Sequence, residues 1–142
     1  MKKLYTVTPD ILHAAGEVST KVKRLLLQLG VSQKAIRRFS VALYEGEINM
    51  AVHAGGGTAE IDISPKRISA VLKDQGPGIA DVDLAMQEGY STANEYIREL
   101  GFGAGMGLPN MKRSADIFTL ESSPGSGTTV SFTVFLNGDA PQ

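Results

Sequence analysis

Residues 59–79 read AEIDISPKRISAVLKDQGPGI, and this stretch decides the fold. Ala59–Ser64 and Arg67–Lys73 both alternate apolar with polar residues, the period of a strand with one buried face. Pro65-Lys66 between them predicts a β-hairpin. What precedes the hairpin is helical. Ser32 is placed to cap a helix running to about His53, with Ile36, Phe39, Leu43 and Met50 on its apolar side, and Gly55-Gly56-Gly57 end it. Earlier still, Ile11, Ala14, Ala15, Val18, Val22, Leu25, Leu26 and Leu29 recur at helical spacing until Gly30 stops them.

Beyond the hairpin, Asp81–Glu88 predicts a short helix, and residues 89–104 a long irregular stretch with a helical turn around Asn94–Leu100. Leu108–Ala115 predicts another helix, with Pro109 tolerated only in its first turn. Phe118–Ser122 and Thr128–Leu136 predict paired strands across a turn at Pro124–Gly127. Helices and antiparallel hairpins in this order predict an α+β two-layer sandwich.

The chain has 142 residues, 42% hydrophobic and 20% charged, which suits one domain over 1–137 and a loose tail over 138–142. No apolar run reaches the roughly 18–20 residues of a membrane span, and Met1-Lys2-Lys3 leads into no signal-type stretch. The expectation is a cytoplasmic protein. Zero cysteines exclude disulfides, thiol catalysis and Cys-ligated metals, and two histidines argue against a His-rich zinc site. A net charge of −1 supplies no general attraction to nucleic acid or to anionic membrane. That balance hides an asymmetry, since residues 1–44 carry eight Lys/Arg against two acids and the remainder is acidic. A basic N-terminal layer could meet an acidic partner, but the simpler and preferred reading is two solvated faces that attract each other within one domain.

Eleven of the sixteen glycines fall in four clusters, at 55–57, 76–78, 101–107 and 125–127. Clustered glycine marks places where backbone turns tightly or approaches something closely. Other signals lie beside them. Glu45, Asn49 and His53 stand four residues apart and form one polar stripe on the second helix. Asp74-Gln-Gly76-Pro-Gly78-Ile79 follows a strand directly, where a carboxylate beside small residues can hydrogen-bond a flat, amino-bearing base; a plain β-turn would look similar. Gly103-Ala-Gly105-Met106-Gly107-Leu108 opens a helix, and free amides at a helix N-terminus suit phosphate. It is not a Walker loop, since no Gly-Lys-Ser/Thr follows. Gly127-Thr128 begins the last strand, where Thr128 could line a pocket.

In this order and spacing, the four elements resemble the N, G1, G2 and GT elements of the histidine-kinase-like ATPase fold, shared by gyrase, Hsp90, histidine kinases and MutL. The resemblance covers essentially the whole chain and implies a mixed, largely antiparallel sheet with helices on one face. Within that fold the chain most resembles the anti-sigma regulatory serine/threonine kinases, closest to the stressosome switch kinase, on Asp74–Ile79, Met86-x-x-Gly89-Tyr90-Ser91-Thr92, Gly103-Ala-Gly105 and Leu108-Pro109-x-x-Lys112-Arg113. Sensor histidine kinases usually carry a Lys near the position of His53.

The resemblance assigns roles. Asp74 would hold the adenine amine, and Gly76 and Gly78 would give the base room, with Ile79 beside them. Asn49 would ligate Mg²⁺ bridging the phosphates of ATP. Residues 89–107, with Thr92 and Gly103 among them, would form the lid. The amides of Gly105, Met106, Gly107 and Leu108 would close on phosphate, and Thr128 would support the adenine pocket. Glu45 would take the proton from an incoming serine hydroxyl. The implied partner is a STAS-domain antagonist protein, with a sigma factor or a phosphatase as a further one. Some members work as dimers, and the basic N-terminal helix offers a surface for that or for a partner. The implied function is a protein kinase of a bacterial partner-switching system. An alternative is an ATP-gated binding protein with little or no transferase activity, and a third is a detached module serving a histidine kinase. Two features depart from the pattern. Asn94–Phe102 lengthens the lid, and the Gly46-Glu47-Ile48 spacer adds a carboxylate near Glu45 and would redirect it if the helix bent at Gly46.

Overall fold

The computed structural model describes residues 1–10, 14–79, 82–87 and 107–136. The elements run β1 (Lys2–Val7), α1 (Glu17–Gln28), α2 (Gln33–Ala54), β2 (Gly57–Ile63), β3 (Arg67–Lys73), α3 (Val82–Ala85), α4 (Gly107–Ser114), β4 (Ile117–Ser122) and β5 (Thr128–Phe135). The strands make one sheet in the order β1-β2-β3-β5-β4. Among the described residues all four pairings are antiparallel, so the sheet they form is not mixed. Parallel neighbours need a crossover, and no adjacent pair here runs that way.

Register explains the two faces. Rows such as Ala59–Leu72–Val130–Leu120 and Ile61–Ala70–Phe132–Phe118 run across the sheet towards the helices. The opposite face carries rows such as Glu60–Val71–Ser131–Thr119, largely polar and, among the described residues, uncovered by helix. On the helical side α2 is the central element. Ile36, Phe39, Leu43 and Met50 are all buried, as their spacing predicts. The Phe39 and Phe132 rings pack tilted at 47° with centroids 5.1 Å apart, a geometry worth about 0.5–1.5 kcal/mol beyond simple burial.

Local signals act as expected at several ends. The Ser32 hydroxyl accepts the Ala35 N–H, and Gly55 closes α2 in the left-handed conformation. Pro109 falls in the first turn of α4, where its missing N–H costs nothing. Two readings need correction. The helical spacing from Ile11 does not carry through Ala14 and Ala15, because Gly16 takes φ 78° and starts α1 at Glu17; Ile11 itself lies outside the described residues. β1 was not signalled as a strand. It is an edge strand that buries only Val7, so its alternation is weak.

Gly46 does not bend α2, which runs unbroken from Gln33 to Ala54. The glycine lies where the helix touches the sheet and α4. A Cβ there would come within 2.2 Å of Leu72 Cδ1 and 2.8 Å of Met111 Cε. Glu47, the carboxylate that the spacer adds near Glu45, is engaged by α1. It is 3% exposed, and its Oε2 and Oε1 accept the backbone N–H groups of Val18 and Ser19, both at 3.0 Å. Gly16 gives α1 no side-chain cap, so a carboxylate from the neighbouring helix does that work. Burial pushes the Glu47 carboxyl up, against the opposing pull of those N–H donors.

Across the domain, Arg38 of α2 holds the end of α4. Its Nε donates to the Ser114 carbonyl and its Nη2 pairs with Asp116 at 2.8 Å. Burial alone would raise the Asp116 carboxyl, but Arg38 and the Phe135 N–H hold it below its usual value. Among the described residues, no helix is long and apolar enough to cross a membrane.

Candidate active site

β3 ends at Lys73, and the next residue is the first component of the site. Asp74 is 8% exposed. Its Oδ1 accepts the Gly76 N–H at 3.0 Å and the Thr128 N–H at 3.1 Å. The Asp74 N–H in turn donates to the Thr128 carbonyl at 3.0 Å. The carboxylate is thus held by backbone from two strand ends, far apart in sequence and adjacent in the sheet. Both side-chain bonds end on Oδ1, so Oδ2 is the oxygen available to an incoming amine.

The turn that follows is held just as tightly. The Ile79 N–H donates to Ser122 Oγ at 2.7 Å, and Ser122 Oγ lies 2.8 Å from Thr128 Oγ1 and 3.0 Å from the Gly127 carbonyl. Ser122 is therefore the hub that joins the Asp74 turn to the start of β5. It was not foreseen, since the sequence places Ser122 only as the last residue of a strand and gives its hydroxyl no partner. The glycines are explained first by contact with the protein itself. A Cβ at Gly76 would lie 2.6 Å from Ala54 Cβ, and one at Gly78, where φ is +77°, would lie 2.0 Å from the Ser123 carbonyl oxygen. The Gly76 turn is thereby seated against the C-terminal end of α2.

α2 brings the second component. Glu45, Asn49 and His53 lie on one side of the helix, about 6 Å apart in steps along its axis. All three are half-buried. The Asn49 amide makes no hydrogen bond among the described residues. Burial holds the His53 imidazole below its usual value, which keeps it neutral. Glu45 Oε1 accepts Asn110 Nδ2 from α4 at 3.3 Å, and Asn110 Oδ1 accepts Arg113 Nη2. Asn110 was not foreseen either, because a contact between residues 65 apart leaves no local pattern. A Cβ at Gly107 would lie 3.6 Å from Glu45 Oε2, so the amide-bearing start of α4 stands beside the Glu45 carboxylate. The Leu108 side chain is buried in the core, leaving only its backbone for a ligand.

The structure therefore gathers Asp74, Gly76, Gly78, Ile79 and Thr128 at the sheet end. Glu45, Gly107 and Leu108 meet where α2 passes α4, with Asn49 between the two groups along α2. Thr92, Gly103, Gly105 and Met106 lie outside the described residues, as does most of the 89–107 stretch and the 138–142 tail. Chemically, the arrangement sets a fixed carboxylate for a base amine at one end and helix-start amides for phosphate at the other. One amide and one carboxylate lie between. A single Asn oxygen suits Mg²⁺, which takes one or two protein ligands when substrate phosphates supply the rest.

Comparison with known proteins shows the family. Residues 30–138 match the family described as histidine kinase-, DNA gyrase B- and HSP90-like ATPase. The serine/threonine-protein kinase RsbT of Bacillus subtilis is 35% identical over 107 residues, covering 72% of this chain and 74% of that protein. An anti-sigma F factor of Thermoanaerobacter sp. is 32% identical over 125 residues, 84% of each chain. Among solved structures, the mycobacterial sensor histidine kinase MprB matches with a TM-score of 0.54 over the full length of both chains; at 15% identity this speaks to the fold alone.

Proposed function

Because the chain belongs to the histidine kinase-, DNA gyrase B- and HSP90-like ATPase family, in its anti-sigma regulatory kinase branch, we propose that it is an ATP-dependent serine/threonine protein kinase of a bacterial partner-switching system, acting in the cytoplasm on a STAS-domain antagonist. The observation that carries the reading is the Asp74 carboxylate, pinned by the Gly76 and Thr128 amides and seated beside the end of the helix that bears Asn49 and Glu45.

In this reading Asp74 Oδ2 accepts the adenine amine, and the hydrogen bonds on Oδ1 keep it from rotating away. The polyphosphate runs along α2 from Asp74 towards Glu45. Asn49 is the residue to hold Mg²⁺, which when bound neutralises phosphate charge. The amides of Gly107 and Leu108 face the transferring phosphoryl group. The acceptor serine oxygen forms its bond to the γ-phosphorus as the bond to the β-bridging oxygen breaks, and ADP leaves. Glu45 takes the serine proton. Asn110 fixes one Glu45 oxygen, so the other is directed at the incoming hydroxyl.

A second reading has its own support, since several matched relatives are named anti-sigma F factor: an ATP-gated binding protein that captures a regulator and transfers little phosphate. One experiment separates the two. γ-Labelled ATP, Mg²⁺ and purified STAS-domain proteins from the same genome are incubated with the wild type and with Glu45→Ala. Acid-stable label on an acceptor, lost in Glu45→Ala while Mg-ATP binding persists by calorimetry, supports the kinase. Tight Mg-ATP binding with no transfer to any acceptor supports the binder. Acid-labile label would point to phosphohistidine and overturn both.

A further inference from the structure

The nucleotide components that α2 contributes lie in its second half, from Glu45 to Ala54. The first half borders a groove of about 530 Å³ between α1 and α2, which this chemistry uses only at its Glu45 end. Gln33 and Glu45 both line it, so it follows α2 for about 18 Å, or three helical turns. Its apolar lining is exposed to an unusual degree. Leu27 is 52% exposed, Val41 41% and Tyr44 37%, with Ile36 buried beneath them. Lys23 and Arg37 stand on the rim, and neither joins an ion pair among the described residues. Its one acidic lining residue is Glu45, at the far end.

We propose that this groove is the docking site of the phosphoacceptor protein, and that the docked element is an amphipathic helix with an acidic flank. This rests on the kinase reading above. The charge pattern selects the occupant. An apolar stripe at helical spacing fits Leu27, Val41 and Tyr44, and acidic residues beside it pair with Lys23 and Arg37. Tyrosine and arginine at the edge of a desolvated patch are the residue types that dominate binding energy. The position selects the role. Attacking and leaving oxygens lie roughly in line in phosphoryl transfer, so acceptor and ADP must approach from opposite sides. Glu45 is the junction, with the nucleotide components on one side of it along α2 and the groove on the other. A helix seated in the groove delivers a neighbouring serine to the carboxylate that takes its proton.

The test uses the full chain, a panel of purified STAS-domain proteins from the same genome, and the surface variants Val41→Asp and Arg37→Glu. With the acceptor labelled by the wild type, both variants should raise its KM by about tenfold or more, while kcat at saturation and Mg-ATP affinity stay within about twofold. Wild-type acceptor binding should weaken with salt, and Arg37→Glu should lose most of that dependence. Amide shift mapping on the ¹⁵N-labelled chain should place the acceptor on Lys23, Leu27, Ser40 and Val41. Labelling with an unchanged KM in both variants overturns the docking site and leaves the kinase reading intact. No labelling, but acceptor shifts confined to the groove, overturns the kinase reading and keeps the docking site. A wild-type dimer that Val41→Asp converts to monomer assigns the groove to a second copy and overturns the proposal. So does a panel in which no protein perturbs the groove.

Discussion

Replacing Gly46 with alanine should destabilise this protein, although helix propensity alone says the reverse. A glycine inside a helix costs about 1 kcal/mol relative to alanine, so an uncrowded Gly46→Ala would gain that amount. Here the new methyl would sit 2.2 Å from Leu72 Cδ1 and 2.8 Å from Met111 Cε. Carbon atoms pack at roughly 3.5–4.0 Å, so Leu72 or the helix must move by about 1.5 Å. Met111 can adjust, because a thioether side chain has several low-energy rotamers. Leu72 is held by Ala59 and Val130 on either side in the sheet. Overpacking of this kind costs about 1–3 kcal/mol. Set against the propensity gain, the net loss is about 1 kcal/mol, or about 3–4 °C in Tm for a chain of this size. Gly46→Val, larger and β-branched, should lose more. Urea unfolding monitored by circular dichroism reads the effect as a lower midpoint at unchanged slope. A Gly46→Ala protein as stable as the wild type, or more so, would refute the packing argument.

Three further outcomes follow from the site and its supports. Asp74→Asn should fold normally, because its side-chain oxygen still accepts the Gly76 and Thr128 N–H groups. An NH₂ facing the adenine amine should nevertheless weaken Mg-ATP binding by about 100-fold or more, as titration calorimetry would read. Glu47→Ala should cost about 3 kcal/mol in urea unfolding at neutral pH, through two orphaned amides at the start of α1. Because burial raises the Glu47 pKa in the fold, this group's contribution to stability is fullest at low pH and declines as pH rises through the raised value, a slope that Glu47→Gln should remove. His53 behaves in the opposite sense. Its pKa is lowered by burial, so stability is fully present above about pH 6.5 and falls on acidification as the unfolded chain takes up the proton; His53→Gln should flatten that fall in thermal melts across the same range.

What the amino-acid order determined by itself was whatever acts over a few residues. The Ser32 cap, the Gly55 stop, the alternation of β2 and β3 and the place of Pro109 are short-range effects of dihedral preference and side-chain period, and each stands where it was expected. The four-part motif order also named the family, because those segments lie in sequence as they do in the fold. Tertiary structure alone decided what depends on distant partners. Gly46 is a packing contact with the sheet and α4 rather than a hinge, and Glu47 is the cap of another helix rather than a second acid at the site. Ser122 ties the Asp74 turn to β5, and Asn110 reaches Glu45 across 65 residues. β1 exists because Tyr5 and Val7 find β2, not because six residues with two lysines prefer to be a strand. In each case a side chain or strand edge is satisfied by a group that the chain brings near only after it has folded, and no local period carries that information.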